Sequence, residues 1–369
     1  MRIGVPAETR PDEHRVALVP DGVAKLKAAG CEVLVQRGAG TAAYLTDAAF
    51  EAAGATLVGS AAEALGADLV LKVQRPTLEE ATLLREGAAL VSLLAPAASA
   101  DLLEVLARRR VSAFAMELVP RTTKAQSMDA LSSQATIAGY KAVLLGAGAM
   151  GRIIPMLTTA AGTLAPAKVF VVGAGVAGLQ AVATARRLGG IVSAFDVRPV
   201  VREQVQSLGA SFVELAAVEG EGQGGYAKEL AEDQQRRVLA AVGGHAQSQD
   251  LVITTALIPG RPAPRLLSAE AVRAMHPGSV IVDLAAEAGG NCELTRPGET
   301  VTDGGVTILG PLNLAASVPL HASQMYGRNV LTFVTYLLKD GALRLDLADP
   351  ITGPMCVTHG GELRTAKAA

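Results

Sequence analysis

The stretch KVFVVGAGVAGLQAVATARRLG, followed by IVSAFDVR, restricts this chain more than any other part of its sequence. A β-branched run, Val169–Val172, leads into Gly173-Ala174-Gly175-Val176-Ala177-Gly178, and an amphipathic helix follows. A second apolar strand, Ile191–Phe195, then ends at Asp196, 18 residues after Gly178. This is the βαβ pattern of a dinucleotide-binding unit. Gly173 permits the tight turn, Gly175 lets the backbone approach a pyrophosphate, and Gly178 lets the helix close on the strand. The pyrophosphate would lie at the positive end of the helix dipole. The Asp196 carboxylate would accept bonds from the adenosine ribose hydroxyls and repel a 2′-phosphate, which favours NAD(H) over NADP(H). Arg198, two residues on, weakens that preference slightly.

A second GxGxxG, Gly146 to Gly151, lacks this context. The preceding ATIAGYKAVLL reads as helix, and no acidic strand end follows, so the repeat is expected to mark a close helix–helix junction.

Alternation of strands and helices extends in both directions. Arg2–Val5, Glu32–Gln36, Asp68–Val73 and Ala88–Leu94 read as strands, with helices at Gly22–Ala29, Asp47–Ala53 and Ser99–Arg108. Further strands are expected at Asp250–Thr254 and Ser279–Leu284. The implied class is α/β: two Rossmann-like domains with parallel sheets, separated by a cleft. Residues 1–126 and 317–369 form a discontinuous first domain, and 127–316 form the nucleotide domain. Lys124–Leu145 is expected to be a long linking helix, and Ser317–Leu338 a helix that returns the chain to the first domain. Residues beyond Pro350 show no periodicity and read as a mobile tail, while VEGEGQGGY at Val218–Tyr226 reads as a flexible surface loop.

Charge excludes some functions. A formal net charge of −2 offers no field for nucleic acid. Cys31, Cys292 and Cys356 make neither a disulfide framework nor a metal-ligand spacing, which fits a reducing compartment. The N-terminus does not read as a signal peptide. The most apolar stretch, Ala88 to Leu103, is broken by Ser92, Pro96, Ser99 and Asp101, so no membrane span is expected.

Arg121, Gln126, Asp129 and Ser132 are polar residues where the first domain ends, the last three spaced three apart. Spacing leaves two readings open. They face the cleft as a site, or they are a polar helix start with Ser127 or Asp129 as N-cap and Arg121 solvated.

RTTKAQSMDALSSQ, together with VVGAGVAGLQA and the DVR strand end, resembles the NAD(H)-binding domain I of proton-translocating transhydrogenases. ETRPDEHRVALVP, LVLKVQRP, GGYAKE, TTALIPGRPAP and VDLAAEAGGNCEL extend the resemblance from Arg2 to about Leu338. The resemblance implies that Arg121, Gln126, Asp129 and Ser132 surround the nicotinamide and its ribose. It also implies that Val176, Asp196, Val197, Arg198, Ala256 and Leu257 hold the rest of the nucleotide, and that Tyr226 closes over it. The implied reaction is hydride transfer between NADH here and NADP⁺ on a partner subunit, coupled to proton movement through a separate membrane subunit. The chain would then be a homodimer, cytoplasmic and peripheral to the membrane, with no bound metal.

Alanine dehydrogenase is a related alternative, and a non-catalytic NAD(H)-binding regulatory subunit is another. Arg15 and Lys72 match positions that bind the amino-acid substrate in alanine dehydrogenase. That enzyme also needs an acid/base His after the Lys motif, where LVSLLAPAAS has none, and an Asp where Glu287 stands. Amino-acid oxidation moves protons and needs a general base, whereas hydride exchange between two nicotinamides needs orientation and exclusion of water.

Overall fold

A computed structural model describes residues 1–214, 232–258, 261–339 and 341–364. Two compact units emerge, residues 1–134 with 315–369 and residues 135–314.

The first unit opens as a succession of strands and helices. It runs β1 (Arg2–Val5), α1 (Pro20–Ala28), β2 (Glu32–Gln36), α2 (Asp47–Ala52), β3 (Thr56–Val58) and α3 (Ala61–Leu65). It continues with β4 (Leu69–Leu71), α4 (Leu78–Leu83), β5 (Ala89–Ser92), α5 (Ala100–Arg108) and β6 (Ser112–Ala115). Local signals set the helix starts. Ser60 with Glu63, and Thr77 with Glu80, form complete capping boxes at α3 and α4.

Lys124–Leu145 is not one helix. Gln126–Met128 make a single 3₁₀ turn, and the long helix α6 (Ala130–Ala149) begins only after Asp129. The boundary between the units falls inside α6, after Gln134.

The second unit carries a hairpin, β7 (Leu157–Thr159) with β8 (Gly162–Leu164), before its main series. That series begins β9 (Lys168–Val172), α7 (Val176–Arg187), β10 (Ile191–Phe195), α8 (Val201–Ser207) and β11 (Ser211–Phe212). It proceeds through α9 (Glu232–Ala246), β12 (Leu251–Thr254), α10 (Ala269–Arg273), β13 (Val280–Asp283), β14 (Thr300–Asp303) and β15 (Val306–Leu309). The chain then returns to the first unit as α11 (Pro319–Leu337), β16 (Leu338–Lys339), β17 (Ala342–Leu343), α12 (Thr352–Met355), β18 (Cys356–His359) and β19 (Glu362–Leu363).

Each sheet is parallel except at one edge. The second runs β11-β10-β9-β12-β13-β15-β14, with β14 antiparallel. In order of appearance its parallel strands follow the 3-2-1-4-5-6 pattern of a doubly wound fold, which reverses direction between β9 and β12. The first sheet runs β19-β18-β6-β5-β4-β1-β2-β3 and repeats that pattern in its parallel part.

Both sheets are buried on two faces, so their strands are continuously apolar. In β9, Val169 and Val171 join one core cluster while Phe170 and Val172 join another. In the first unit Leu69, Leu71, Ala89 and Val91 face one side, and Val70 and Leu90 face the other. Helix α11 adds Tyr326, Val330, Phe333, Val334 and Leu337 to the first of these cores. Phe333 meets Phe114 edge-on, their ring centroids 5.5 Å apart.

Two expectations need correcting. Gly146 is not at a helix–helix junction: a Cβ there would lie 2.5 Å from Leu251 Cδ1, so α6 approaches strand β12. The close helix contact is at Gly139 instead, where a Cβ would stand 2.1 Å from the Ala177 carbonyl oxygen. The residues beyond Pro350 are also not a loose tail. β18 pairs antiparallel with β6, and Ile351, Met355, Cys356 and Val357 are buried. A short strand on an existing edge shows no helical period, and its burial comes from a neighbour distant in sequence.

Removing residues 350–369 should therefore expose the β6 edge and four buried side chains, each worth ~1.5–3 kcal/mol. A fall in melting temperature of roughly 10 °C is expected for such a loss. An unchanged thermal transition would show that β18 contributes nothing to the sheet.

Candidate functional site

The glycine turn after β9 has the geometry its sequence demands. Gly173 sits at φ +96°, and a Cβ there would approach Thr255 Oγ1 to 2.7 Å. The Thr255 hydroxyl donates to the Gly173 carbonyl at 2.8 Å, which ties the end of β12 to the turn. Gly178 is closer still: its Cβ would fall 1.8 Å from the Gly173 oxygen. Gly175, the N-cap of α7, differs from both. The nearest atom to its notional Cβ is an Arg198 guanidinium nitrogen at 3.8 Å. Protein packing therefore does not require Gly175, and its bare backbone at a helix N-terminus suits an anionic group brought up to it. Val176 lies beside it, substantially exposed on the first turn of α7.

Asp196 ends β10, and its side chain is almost wholly buried. Its Oδ2 accepts from the Ala174 amide at 2.7 Å and from Arg198 Nη2 at 2.8 Å. Its Oδ1 accepts from the Arg198 amide and Nε, both at 2.9 Å. Arg198 thus closes a fork over the carboxylate, a stronger engagement than its position in the sequence suggested. Val197 is half-buried between the two.

Across the turn, Ala256 is held by a residue that sequence reasoning missed. Asn291, fully buried, accepts from the Ala256 amide at 3.0 Å and donates to its carbonyl at 2.9 Å. An asparagine in GGNC carries no motif signal; only the fold shows it pairing a backbone as a strand would. Leu257 follows, half exposed. Tyr226 and the Val218–Tyr226 segment lie outside the described residues.

In the first unit, the QSMD stretch makes a turn and a cap. The Asp129 Oδ1 accepts from the Ser132 amide at 2.9 Å, and Oδ2 accepts from the Ser132 hydroxyl at 2.6 Å. Asp129 is therefore the N-cap of α6, as the plainer of the two sequence readings had it. Gln126 and Arg121 have exposed side chains, and Gln126 opens the 3₁₀ turn whose Met128 is buried in the core. Capping does not exclude a binding role, because it leaves Gln126 outward on a fixed turn.

Arg15 and Lys72 lie in a buried polar network of the same unit. Lys72 pairs with Glu8 at 3.3 Å and Glu80 at 3.1 Å. Arg15 is forked onto Glu13 at 2.8 and 2.6 Å and also donates to Gln134 Oε1 at 2.8 Å. Tyr326 donates to the Lys72 carbonyl at 2.8 Å. Burial pushes the Glu8 carboxyl up despite its Lys72 partner. Burial alone would do the same to Glu13, but the hydrogen bonds and charge of Arg15 outweigh it and hold Glu13 at about 2.

Three histidines have evident structural partners. His245 bonds Ser193, His276 bonds Asp250 and His359 bonds Ser112, each at 2.9 Å. Among the described residues no cluster of His, Cys, Asp and Glu is arranged to hold a metal ion.

Family models match both halves of the chain: the N-terminal domain of alanine dehydrogenase/PNT over residues 4–138 and the C-terminal domain over residues 142–366. The chain belongs to the alanine dehydrogenase/PNT family. Within it, the chain is 49% identical to an NAD(P) transhydrogenase subunit alpha polypeptide of Rhodospirillum rubrum, covering 98% of this chain and 97% of that one. The crystal structure of transhydrogenase from Sinorhizobium meliloti superposes with a TM-score of 0.91 at 45% identity, covering 99% of this chain and 100% of that one. Alanine dehydrogenase is a more distant relative: that of Mycobacterium tuberculosis is 33% identical over all of this chain and 96% of its own. No described helix of this family member is long and apolar enough to cross a membrane.

Folding lowers the pKa of Glu13, so on acidification the unfolded chain takes up this proton first. The stabilisation is complete above about pH 5 and disappears as pH falls through the folded value of about 2. Glu13→Gln should cost on the order of 3 kcal/mol at pH 7 and progressively less below pH 5. Denaturant titrations of both proteins at several pH values measure this, and a difference independent of pH would contradict the assignment.

Proposed function

We propose that this chain is the NAD(H)-binding component of a proton-translocating transhydrogenase. Residues 135–314 form its nucleotide unit. The reaction is NADH + NADP⁺ ⇌ NAD⁺ + NADPH, with NADP(H) on a partner subunit and protons carried by a separate membrane subunit. As a homodimer it would lie at the cytoplasmic face of the membrane, attached through those partners. The observation that carries this reading is the Gly175 turn. Its backbone stands open at the N-terminus of α7, beside the Asp196 carboxylate at the end of β10. The transhydrogenase names of relatives at 45–49% identity supply the reaction class.

In this reading Gly173, Gly175, Val176 and Gly178 receive the pyrophosphate. Asp196, Val197, Arg198, Ala256, Leu257 and Tyr226 receive the remaining nucleotide. The Asp196 carboxylate is fully engaged by Arg198 and Ala174, so the ribose hydroxyls must replace the Arg198 side chain there. Arg121, Gln126, Asp129 and Ser132 serve the nicotinamide end. Asp129 and Ser132 stiffen the turn by capping α6, and Gln126 projects from it. The bound nicotinamide supplies the hydride. These side chains orient it and exclude water, and they need no base because hydride exchange leaves no proton to move.

Single-turnover hydride exchange with an NADP(H)-binding partner domain, run alongside NADH titration, tests this. Gln126→Ala should slow exchange by up to ~10²-fold while NADH affinity holds. Asp196→Ala should weaken NADH binding by ~1.5–3 kcal/mol and erase the preference for NADH over NADPH. Equal affinity of the parent for the two nucleotides, or formation of pyruvate from L-alanine and NAD⁺, would overturn the reading.

A further inference from the structure

Asn329 lies on α11 with 8% of its surface exposed. An amide buried there must find partners for its carbonyl and its amino group or cost free energy. Both partners belong to the segment around Gln126. Nδ2 donates to the Ser127 carbonyl at 2.9 Å, and Oδ1 accepts from the Ser133 hydroxyl at 2.7 Å. The Ser127 carbonyl can only accept, which fixes the orientation of the amide chemically. One side chain therefore spans the 3₁₀ turn, the Asp129 cap and the first turn of α6.

The apolar anchors of this segment, Ala125, Met128 and Ala130, hold it against the core. Such contacts are not directional and leave the peptide planes free to rotate. The bond to the Ser127 carbonyl is directional. It fixes the peptide immediately after Gln126, and with it the direction in which the Gln126 side chain leaves the turn.

We propose that Asn329 is a positioning residue for hydride transfer, which sets the register of the Gln126–Ser132 segment without touching the nucleotide. This rests on the assignment of Gln126 to the nicotinamide end. An open hollow of about 400 Å³ adjoins the clamp, lined in part by Lys25, Ser127, Ser133, Arg328, Asn329 and Thr332. Water from it can hydrate groups freed by substitution, so a variant at Asn329 is expected to fold.

The test compares Asn329→Ala, Asn329→Asp, Gln126→Ala and Val334→Ala in single-turnover exchange, NADH titration and thermal unfolding. Val334 is a fully buried core residue of α11, and its truncation controls for lost stability alone. Asn329→Ala should slow exchange ~10–100-fold, with NADH affinity changed less than about twofold. Val334→Ala should leave the rate near that of the parent. Asn329→Asp keeps an acceptor for Ser133 but sets a carboxylate against the Ser127 carbonyl. Its rate relative to the parent should rise as pH falls and the carboxyl gains a proton to donate.

The proposal is overturned if Gln126→Ala is slow while Asn329→Ala matches the parent. It is equally overturned if Asn329→Ala slows no more than Val334→Ala, or if the Asn329→Asp ratio does not vary with pH. A parental rate for Gln126→Ala would remove the nicotinamide assignment itself, and this inference with it.

Discussion

Where β9 passes into α7, the Gly178 backbone presses on the Gly173 carbonyl so closely that a methyl group on Gly178 would stand 1.8 Å from the oxygen. This contact fixes the angle at which the helix leaves the strand. Because α7 starts there, its free amides point outward over the carboxyl ends of β9 and β12, where the sheet order reverses. The Asp196–Ala174 bond and the Thr255–Gly173 bond then brace the turn from either side. The geometry of the Gly175 backbone follows from these constraints.

The first unit relies on a different device. Buried Lys72, Arg15, Glu8, Glu13 and Glu80 sit where an apolar core would be cheaper to build. Their bonds are specific in direction, and Gln134 carries the Arg15 end of the network into α6. Arg15 and Lys72 are thus bound up with the protein's own carboxylates. The same side chains that resembled a substrate site in sequence act here as internal struts.

Much of this was legible in the chain itself. Strands such as Ile191–Phe195 and Glu32–Gln36 fell where their apolar runs placed them, because burial on both faces writes directly into sequence. The glycine turn was readable because Gly173 and Gly178 have no substitute at those distances. What escaped depended on partners far away in sequence. The fork of Arg198 on Asp196 looks like mere proximity in DVR, and Asn291 needs Ala256 before it has meaning. QSMD read as helix because its polar spacing is helical, yet Asp129 spends its side chain on the cap and ends the helix pattern there. The last strands were missed for a similar reason: Cys356–His359 is a strand only beside β6.

That final pairing bears on how the chain is made. Residues 135–314 are contiguous and can close their own sheet soon after synthesis passes them. The first unit cannot. Its opening strands wait for α11, whose Phe333 packs on Phe114, and for β18, which covers the edge of β6. Until those residues emerge, an apolar strand edge stands unpaired beside a growing chain, the kind of surface that recruits chaperones or other copies of itself. The nascent protein should therefore assemble from the middle outward, and the half that begins first should be the last to finish.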